Sequence, residues 1–315
     1  MRHAVLGVGG VGAFLGAALA RTGRDVLLLM REESLARYDG VVHVESALLG
    51  DFYADLPATA TLDRTVDALW VTTKATQLVD ALERVPDGDE MVVVPLLNGL
   101  DHVTLLRKRF GTVLPASIAV ESERVRPGVV RQLSAFAVVQ LSPGPDAESL
   151  RRELDDAGLT VSVGDGEADV LWRKLALLAP IALTTTLRGS PLDGVVADPA
   201  WRDRLRDCVR EVAATAGAEG VVLDADALVA RIEGMPPGLR SSMQKDREAG
   251  RPTEIDAIGG SILRAAARHG LEVPTTQELV DGIRAGEPGP PELTPTTARR
   301  RIGLGSRGST PRRQR

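Results

Sequence analysis

A single ammonium on the apolar side of a long hydrophobic run is the group best suited to do chemistry in this chain. In Asp169 to Arg188, Leu171, Leu175, Leu178 and Ile181 recur at i, i+4, i+7 and i+10, the spacing of one helix face, and Lys174 falls beside that stripe. A lysine drawn out of water loses part of its preference for the charged form, so its pKa falls toward neutrality. Residue usage points the same way. The chain has 34 arginines and four lysines, so basic positions default to arginine wherever any positive charge will serve. Arginine does not release a proton in a protein and lysine does, which suits position 174 to a proton donor. A lysine that merely snorkels from an interface fits the same pattern.

Further polar residues stand at turns where a ligand could meet them. Gly7-Val-Gly9-Gly10-Val11-Gly12 follows a short apolar run, His3 to Val8, and opens a small-residue helix and a second strand, Asp25 to Met30. That order of strand, glycine turn, helix and strand is the one a dinucleotide requires. Gly7 allows the tight turn, Gly9 the approach of a pyrophosphate and Gly12 the close packing of helix on strand. The second strand ends in Met30-Arg31, where an NAD-binding chain places an acid; Arg31 suits a 2′-phosphate and favours NADPH, although Glu32 and Glu33 follow directly. Lys74, after the buried-type strand Ala68 to Thr73, is a second candidate for that phosphate, or a strand-end surface lysine. Asn98, in an Asn-Gly pair after the strand Met91 to Leu97, is either a turn residue or an amide reaching cofactor and substrate. Glu254 reads as a carboxylate in a first helical turn, and Ser241-Ser242-Met243 as a helix cap before a ligand donor.

The elements that must position these groups fall into two halves. The first, residues 1–167, is an α/β, Rossmann-type dinucleotide-binding domain. Its later strand-like segments, Ala116 to Val120, Val129 to Leu133 and Phe136 to Leu141, read as an antiparallel extension of the sheet. The second, residues 168–285, is all-helical, with helices over Asp169 to Arg188, Pro199 to Ala216, Asp224 to Glu233, Ser241 to Glu248 and Glu254 to Arg268. Residues 286–315 are rich in Pro, Gly, Thr and Arg without apolar periodicity and read as a disordered tail.

Composition narrows the classes further. A hydrophobic content of 43% supports sizeable cores. Cys208 is the only cysteine, so no disulfide framework or cysteine-based zinc site is available, and no metal site is expected. No export segment and no stretch of membrane-spanning length is read, which leads to the expectation of a cytoplasmic protein. Seven arginines fall in residues 299–315. Without them 31 basic residues face 43 acidic ones, and a body near −12 is a poor surface for nucleic acid. Self-association is left open.

Taken in order, the GVGGVG turn, Lys74, Leu97-Asn98-Gly99, Trp172-Arg-Lys174-Leu-Ala, and Ser241-Ser242-Met243 through Asp246 to Thr253-Glu254-Ile255-Asp256 resemble the ketopantoate reductase (2-dehydropantoate 2-reductase) family over residues 1 to about 285. The resemblance implies NADPH-dependent reduction of ketopantoate to pantoate, in pantothenate biosynthesis, at a site between a Rossmann domain and a helical domain. It implies Lys174 as general acid, Glu254 as a site-orienting substrate contact, Asn98 and Ser242 as substrate ligands, and Arg31 with Lys74 on the 2′-phosphate. One departure matters: the family places asparagines four and eight residues after the lysine, and here Leu178 and Ala182 stand there. The alternatives are therefore a related reductase of a more apolar 2-oxo acid or other carbonyl compound, and a non-catalytic NADPH-binding sensor.

Overall fold

Strands that are apolar on both faces need cover on both sides, and the N-terminal half supplies it. The computed structural model describes residues 1–286; the tail expected at 286–315 lies, past its first residue, outside the described residues. Six parallel strands run in the order Ala58–Thr59, Asp25–Leu29, Arg2–Leu6, Ala68–Val71, Gly88–Pro95, Phe110–Val113. Alternate residues go to opposite faces. Val5, Val26, Leu28, Trp70, Val92 and Val94 pack into one core, under the helix Gly10–Arg21, while Ala4, Leu6, Leu27, Leu29, Leu69 and Val71 pack into another on the reverse side. The chain leaves Arg2–Leu6 for one neighbour and later returns to the other, so a crevice opens at the carboxyl end of this strand, beside Gly7.

The expected antiparallel extension of this sheet is not what forms. Val129–Gln132 pairs with Ser122–Arg126 and with Val41–Ser46, whose other neighbour is Phe52–Asp55, in a separate four-stranded sheet. Ala116–Ala119 and Val138–Leu141 join Thr160–Val163 in a third sheet. The reason lies in two short, half-polar strands, Val41–Ser46 and Phe52–Asp55. Val41–Ser46 buries every second residue, and Val42, Val44, Ala54 and Val130 pack with Phe14 and Leu15 of the Gly10–Arg21 helix, so the later strands find partners over that helix instead of at the main sheet's edge.

The second half is helical. Its axis is the helix Glu167–Arg188, two residues longer at its start than expected, with Glu167 and Asp169 at its positive end and Gly189 closing it in the left-handed conformation at φ +69. By length and composition this helix could cross a membrane, which corrects the expectation that no stretch would. However, 72% of the apolar window is buried inside the protein, against the helices Pro199–Ala218, Ser242–Glu248 and Pro274–Ala285. The helix expected over Glu254 to Arg268 is interrupted: Asp256–Gly260 forms a wide π-helical turn before Ser261–Arg268. The paired glycines there permit it. A side chain on Gly259 would collide with Val280. Leu183, fully buried on the central helix, tests the importance of this core. Leu183→Ala should lower the unfolding free energy by about 2–5 kcal/mol in a denaturant titration; a change below about 0.5 kcal/mol would show that the helix is not the core's axis.

Candidate active site

The glycine turn is fixed by close backbone contacts and leaves one open face. Gly7 takes φ +98, and a Cβ there would stand 2.6 Å from the Thr73 amide nitrogen. A Cβ on Gly12 would collide with the Gly7 carbonyl and the Thr72 hydroxyl, and one on Gly10 with the backbone of Ser122. Gly9, by contrast, faces open space, with no atom within 4 Å of where its Cβ would be. It caps the helix Gly10–Arg21, so the amides of Gly10, Val11 and Gly12 have no acceptor within the helix. Three glycines are thus required by close contact or left-handed backbone, and the fourth leaves room for an anion at a helix N-terminus. The residues present fit a dinucleotide pyrophosphate.

Arg31 follows the second strand, exposed, as the residue before the short helix Glu32–Leu35. A second guanidinium, Arg84, lies within its electrostatic reach. Burial first and the charge of Arg31 second pull Arg84 below the usual arginine range. Lys74 is placed elsewhere. It follows the fourth strand of the main sheet, with Arg2–Leu6 between that strand and the one before Arg31, and its ammonium pairs with buried Asp246 of the helical half at 2.5 Å.

Across the seam between the halves the polar groups converge on one carboxylate. Glu254 is buried; its Oε1 accepts from the Ala75 amide and its Oε2 from the Asn98 side-chain amide, each at 3.0 Å. This is more than a carboxylate compensating a helix dipole at the surface. Gly99 makes the approach feasible: with φ +86 it lies directly against the Ala257 carbonyl, where any side chain would collide. Lys245 with Glu121 at 2.6 Å and Arg264 with Asp101 at 2.6 Å tie the same seam.

Lys174 faces this cluster from the central helix. Although part of the side chain still reaches solvent, protein crowds the ammonium enough that burial lowers its pKa to about 8, against the opposing pull of Glu254. Among the described residues it makes no hydrogen bond or ion pair. An unpaired ammonium that titrates near neutral pH can hold or release a proton there. Ser242 is exposed in the first turn of Ser242–Glu248; the cap is Ser241, whose hydroxyl accepts from the Gln244 amide and meets Thr185 of the central helix at 3.0 Å. The structure therefore brings Lys174, Glu254, Asn98 and Lys74 to one seam, sets Arg31 and the glycine turn along the sheet edge, and shows no contact of Ser242 with that cluster.

Two residues of the site escaped sequence reasoning. His102, one turn beyond Asn98, is buried with neither ring nitrogen hydrogen-bonded and lines a cavity of about 230 Å³ with Asn98, Ala75 and Asp256. Its pKa is pushed down to about 4, by burial first and the Lys174 charge second, with Asp101 opposing. The imidazole is neutral at pH 7. The second is Arg124, on the strand Ser122–Arg126, which donates to the Val8 carbonyl of the glycine turn at 3.2 Å. A histidine four residues after Asn98 was visible as a signal; nothing in the sequence brought Arg124 to the turn.

A glycine turn at the carboxyl edge of a parallel sheet, joined at a seam to a helical half that carries a half-buried lysine, is the arrangement of a nicotinamide-dependent oxidoreductase. The chain belongs to the ketopantoate reductase family: residues 3–145 match the model described as ketopantoate reductase PanE/ApbA, and residues 168–287 its C-terminal part. A 2-dehydropantoate 2-reductase of Mycobacterium tuberculosis is 34% identical over 238 residues, 71% of this chain and 78% of that one. Among solved structures, a PanE/ApbA family ketopantoate reductase from Ralstonia eutropha superposes with a TM-score of 0.82 at 26% identity, covering 90% of this chain and 98% of that one. A D-mandelate dehydrogenase, solved with NADH and anilino(oxo)acetate, shares the fold with a TM-score of 0.80 at 22% identity, covering 90% and 98%.

The opposing pulls on Lys174 can be separated. Glu254→Gln removes the charge that favours the ammonium and leaves the burial in place, so the Lys174 pKa should fall below about 8. With only four lysines in the chain, NMR titration of labelled lysine side chains resolves it; an unchanged or raised value would show that the carboxylate does not act on this ammonium.

Proposed function

We propose that the protein reduces the 2-oxo group of a 2-oxo acid with NADPH, that Lys174 is the proton donor, and that ketopantoate is the first substrate to test. The observation that carries this reading is the unpaired, half-buried ammonium of Lys174, near pKa 8, beside a seam that also holds Glu254 and Asn98. When bound, NADPH supplies hydride to the carbonyl carbon. The chain's own part is to hold the positive charge of Lys174 where the carbonyl oxygen becomes an alkoxide, and to pass that oxygen the ammonium proton. Glu254 keeps the lysine protonated and holds the Asn98 amide in place, and closure of the two halves keeps water from the developing charge. Arg31 reads as the 2′-phosphate ligand. Lys74, held by Asp246, serves the seam in this state and reaches the cofactor only if that pair opens. Ser242 reads as a substrate ligand that closure must bring in. Such a reaction, and a fold without disulfides, fit the cytoplasm.

A second reading has its own observation. At the two helix positions where the family resemblance calls for asparagines stand Leu178, partly buried, and Ala182, fully buried in the helical core. Two lost hydrogen bonds weaken a substrate that needs both by about 5- to 150-fold. A more apolar 2-oxo acid loses nothing there, and the structural neighbour that holds anilino(oxo)acetate shows an aromatic 2-oxo acid derivative in this fold.

Reduction needs the ammonium, which is present below about pH 8 and lost above it, so the rate should be flat on the acid side and fall through pH 8, while oxidation of the hydroxy acid rises through it. No histidine limb should appear between about pH 5 and 7, because His102 stays neutral above about 4. Lys174→Ala should cut turnover by about 10²- to 10⁴-fold and leave NADPH binding intact; full turnover would remove the mechanism. In NADPH oxidation assays, efficient use of ketopantoate supports the family reaction, and preference for 2-oxo acids lacking its hydroxyl supports the apolar reading. Arg31→Gln should weaken NADPH about 10-fold or more and spare NADH; equal losses for both would end the 2′-phosphate assignment.

A further inference from the structure

The glycine turn offers an anion only backbone amides, and a side chain from another sheet reaches the same turn. Ser122–Arg126 lies across the start of the Gly10–Arg21 helix so closely that Gly10 admits no side chain there, and the Ser122 hydroxyl donates to the Gly10 carbonyl at 3.0 Å. Two residues on, on the same face of that strand, Arg124 Nη1 donates to the Val8 carbonyl at 3.2 Å. The guanidinium is exposed, and among the described residues no carboxylate pairs with it. The nearby acids are engaged elsewhere, Glu121 by Lys245 and Glu123 by Arg131. Val8 immediately precedes Gly9, whose open side is the one free space at a turn otherwise closed by Thr73, Thr72 and Ser122. One N–H of the fork is spent on the Val8 carbonyl; the others have no partner among the described residues.

We infer that Arg124 is a pyrophosphate ligand: anchored through Val8, it presents its remaining N–H donors to the phosphate oxygens of a dinucleotide seated over Gly9. A dinucleotide pyrophosphate carries two negative charges, and a planar guanidinium meets phosphate oxygens with paired, charge-assisted hydrogen bonds that backbone amides alone do not supply. The anchoring bond to Val8 holds the long side chain in place before the ligand arrives, which lowers the entropy lost on binding. Arg124 thus acts on the part of the cofactor common to NADPH and NADH, whereas Arg31 acts on the 2′-phosphate alone.

The inference rests on the reading of the Gly7–Gly12 turn as a dinucleotide site, and binding measurements on the full chain separate the two. Dissociation constants are taken for NADPH, NADH and 2′-AMP, which carries the 2′-phosphate and no pyrophosphate. Arg124→Gln should weaken NADPH and NADH by the same factor, about 10-fold, and leave 2′-AMP unchanged. Arg124→Lys should recover part of the loss, and raising salt should weaken the wild type more than Arg124→Gln. Unchanged melting temperatures for the variants show that the strand still seats on the helix. Dinucleotide binding in Arg124→Gln equal to wild type overturns the inference and spares the site. A loss shared by 2′-AMP overturns it by showing that the turn itself has been disturbed. A wild-type protein that binds neither dinucleotide removes the site and the inference together.

Discussion

The carboxylate of Glu254 is the interaction on which the two halves depend. It is buried, and a buried carboxylate is costly unless its oxygens are satisfied. Here both find donors on the other half, the Ala75 amide and the Asn98 side chain, each following a different strand of the parallel sheet. The same charge acts on Lys174 and opposes the burial that lowers its pKa to about 8. Without Glu254 burial would drive the lysine further toward the neutral amine; without the burial, Lys174 would keep the ordinary lysine pKa near 10.5 and release its proton poorly. A pKa near neutrality therefore follows from how closely the two halves meet. That closeness depends in turn on Gly99, which alone allows the Ala257 backbone to sit against it.

The first half was largely legible because its constraints are local. A glycine turn within the first dozen residues, flanked by a strand and a small-residue helix, is specified by backbone sterics at Gly7 and Gly12, and both appear where those sterics demand. The central helix was legible from its 3.6-residue periodicity and its closing glycine. What could not be read were pairings set by distant neighbours. Val41–Ser46 is short and half polar, and without it Val129–Gln132 has no visible partner other than the main sheet. The π-helical turn at Asp256–Gly260 is set by packing against Val280, some twenty residues on.

The site divides along the same line. Lys174 and Glu254 stand out in the sequence through usage and family likeness, and they meet at one seam; Lys74, a candidate for the dinucleotide phosphate by its position in sequence, pairs with Asp246 in this structure. His102 shows the reverse. Sequence gives it no role, yet a histidine buried with both ring nitrogens free leaves two polar groups desolvated, a cost that ordinary packing avoids. Its place beside Asn98 puts that uncompensated polarity at the seam and not in the general core.

The substitutions at 178 and 182 are consistent with this redistribution. Leu178 and Ala182 complete an apolar face of the central helix that packs into the helical core with Ile258, so carbon stands where the family resemblance calls for amides. Thr184 and Thr185, next along the helix, turn their hydroxyls back to the carbonyls of Pro180 and Ile181 at 2.6 and 2.7 Å. The Thr184 and Thr185 hydroxyls thus serve the helix, and Thr185 also its contact with Ser241. Under the proposed reaction, orientation of the acid would fall to the groups at the seam, Asn98 among them. The oxo acid head would then meet Lys174 from the helical half and Asn98 from the sheet edge, with an apolar tail beside Leu178. On that reading the volume around Leu178 would weigh more in substrate choice than hydrogen bonding, and volume alone discriminates weakly, by roughly 1–3 kcal/mol per methylene.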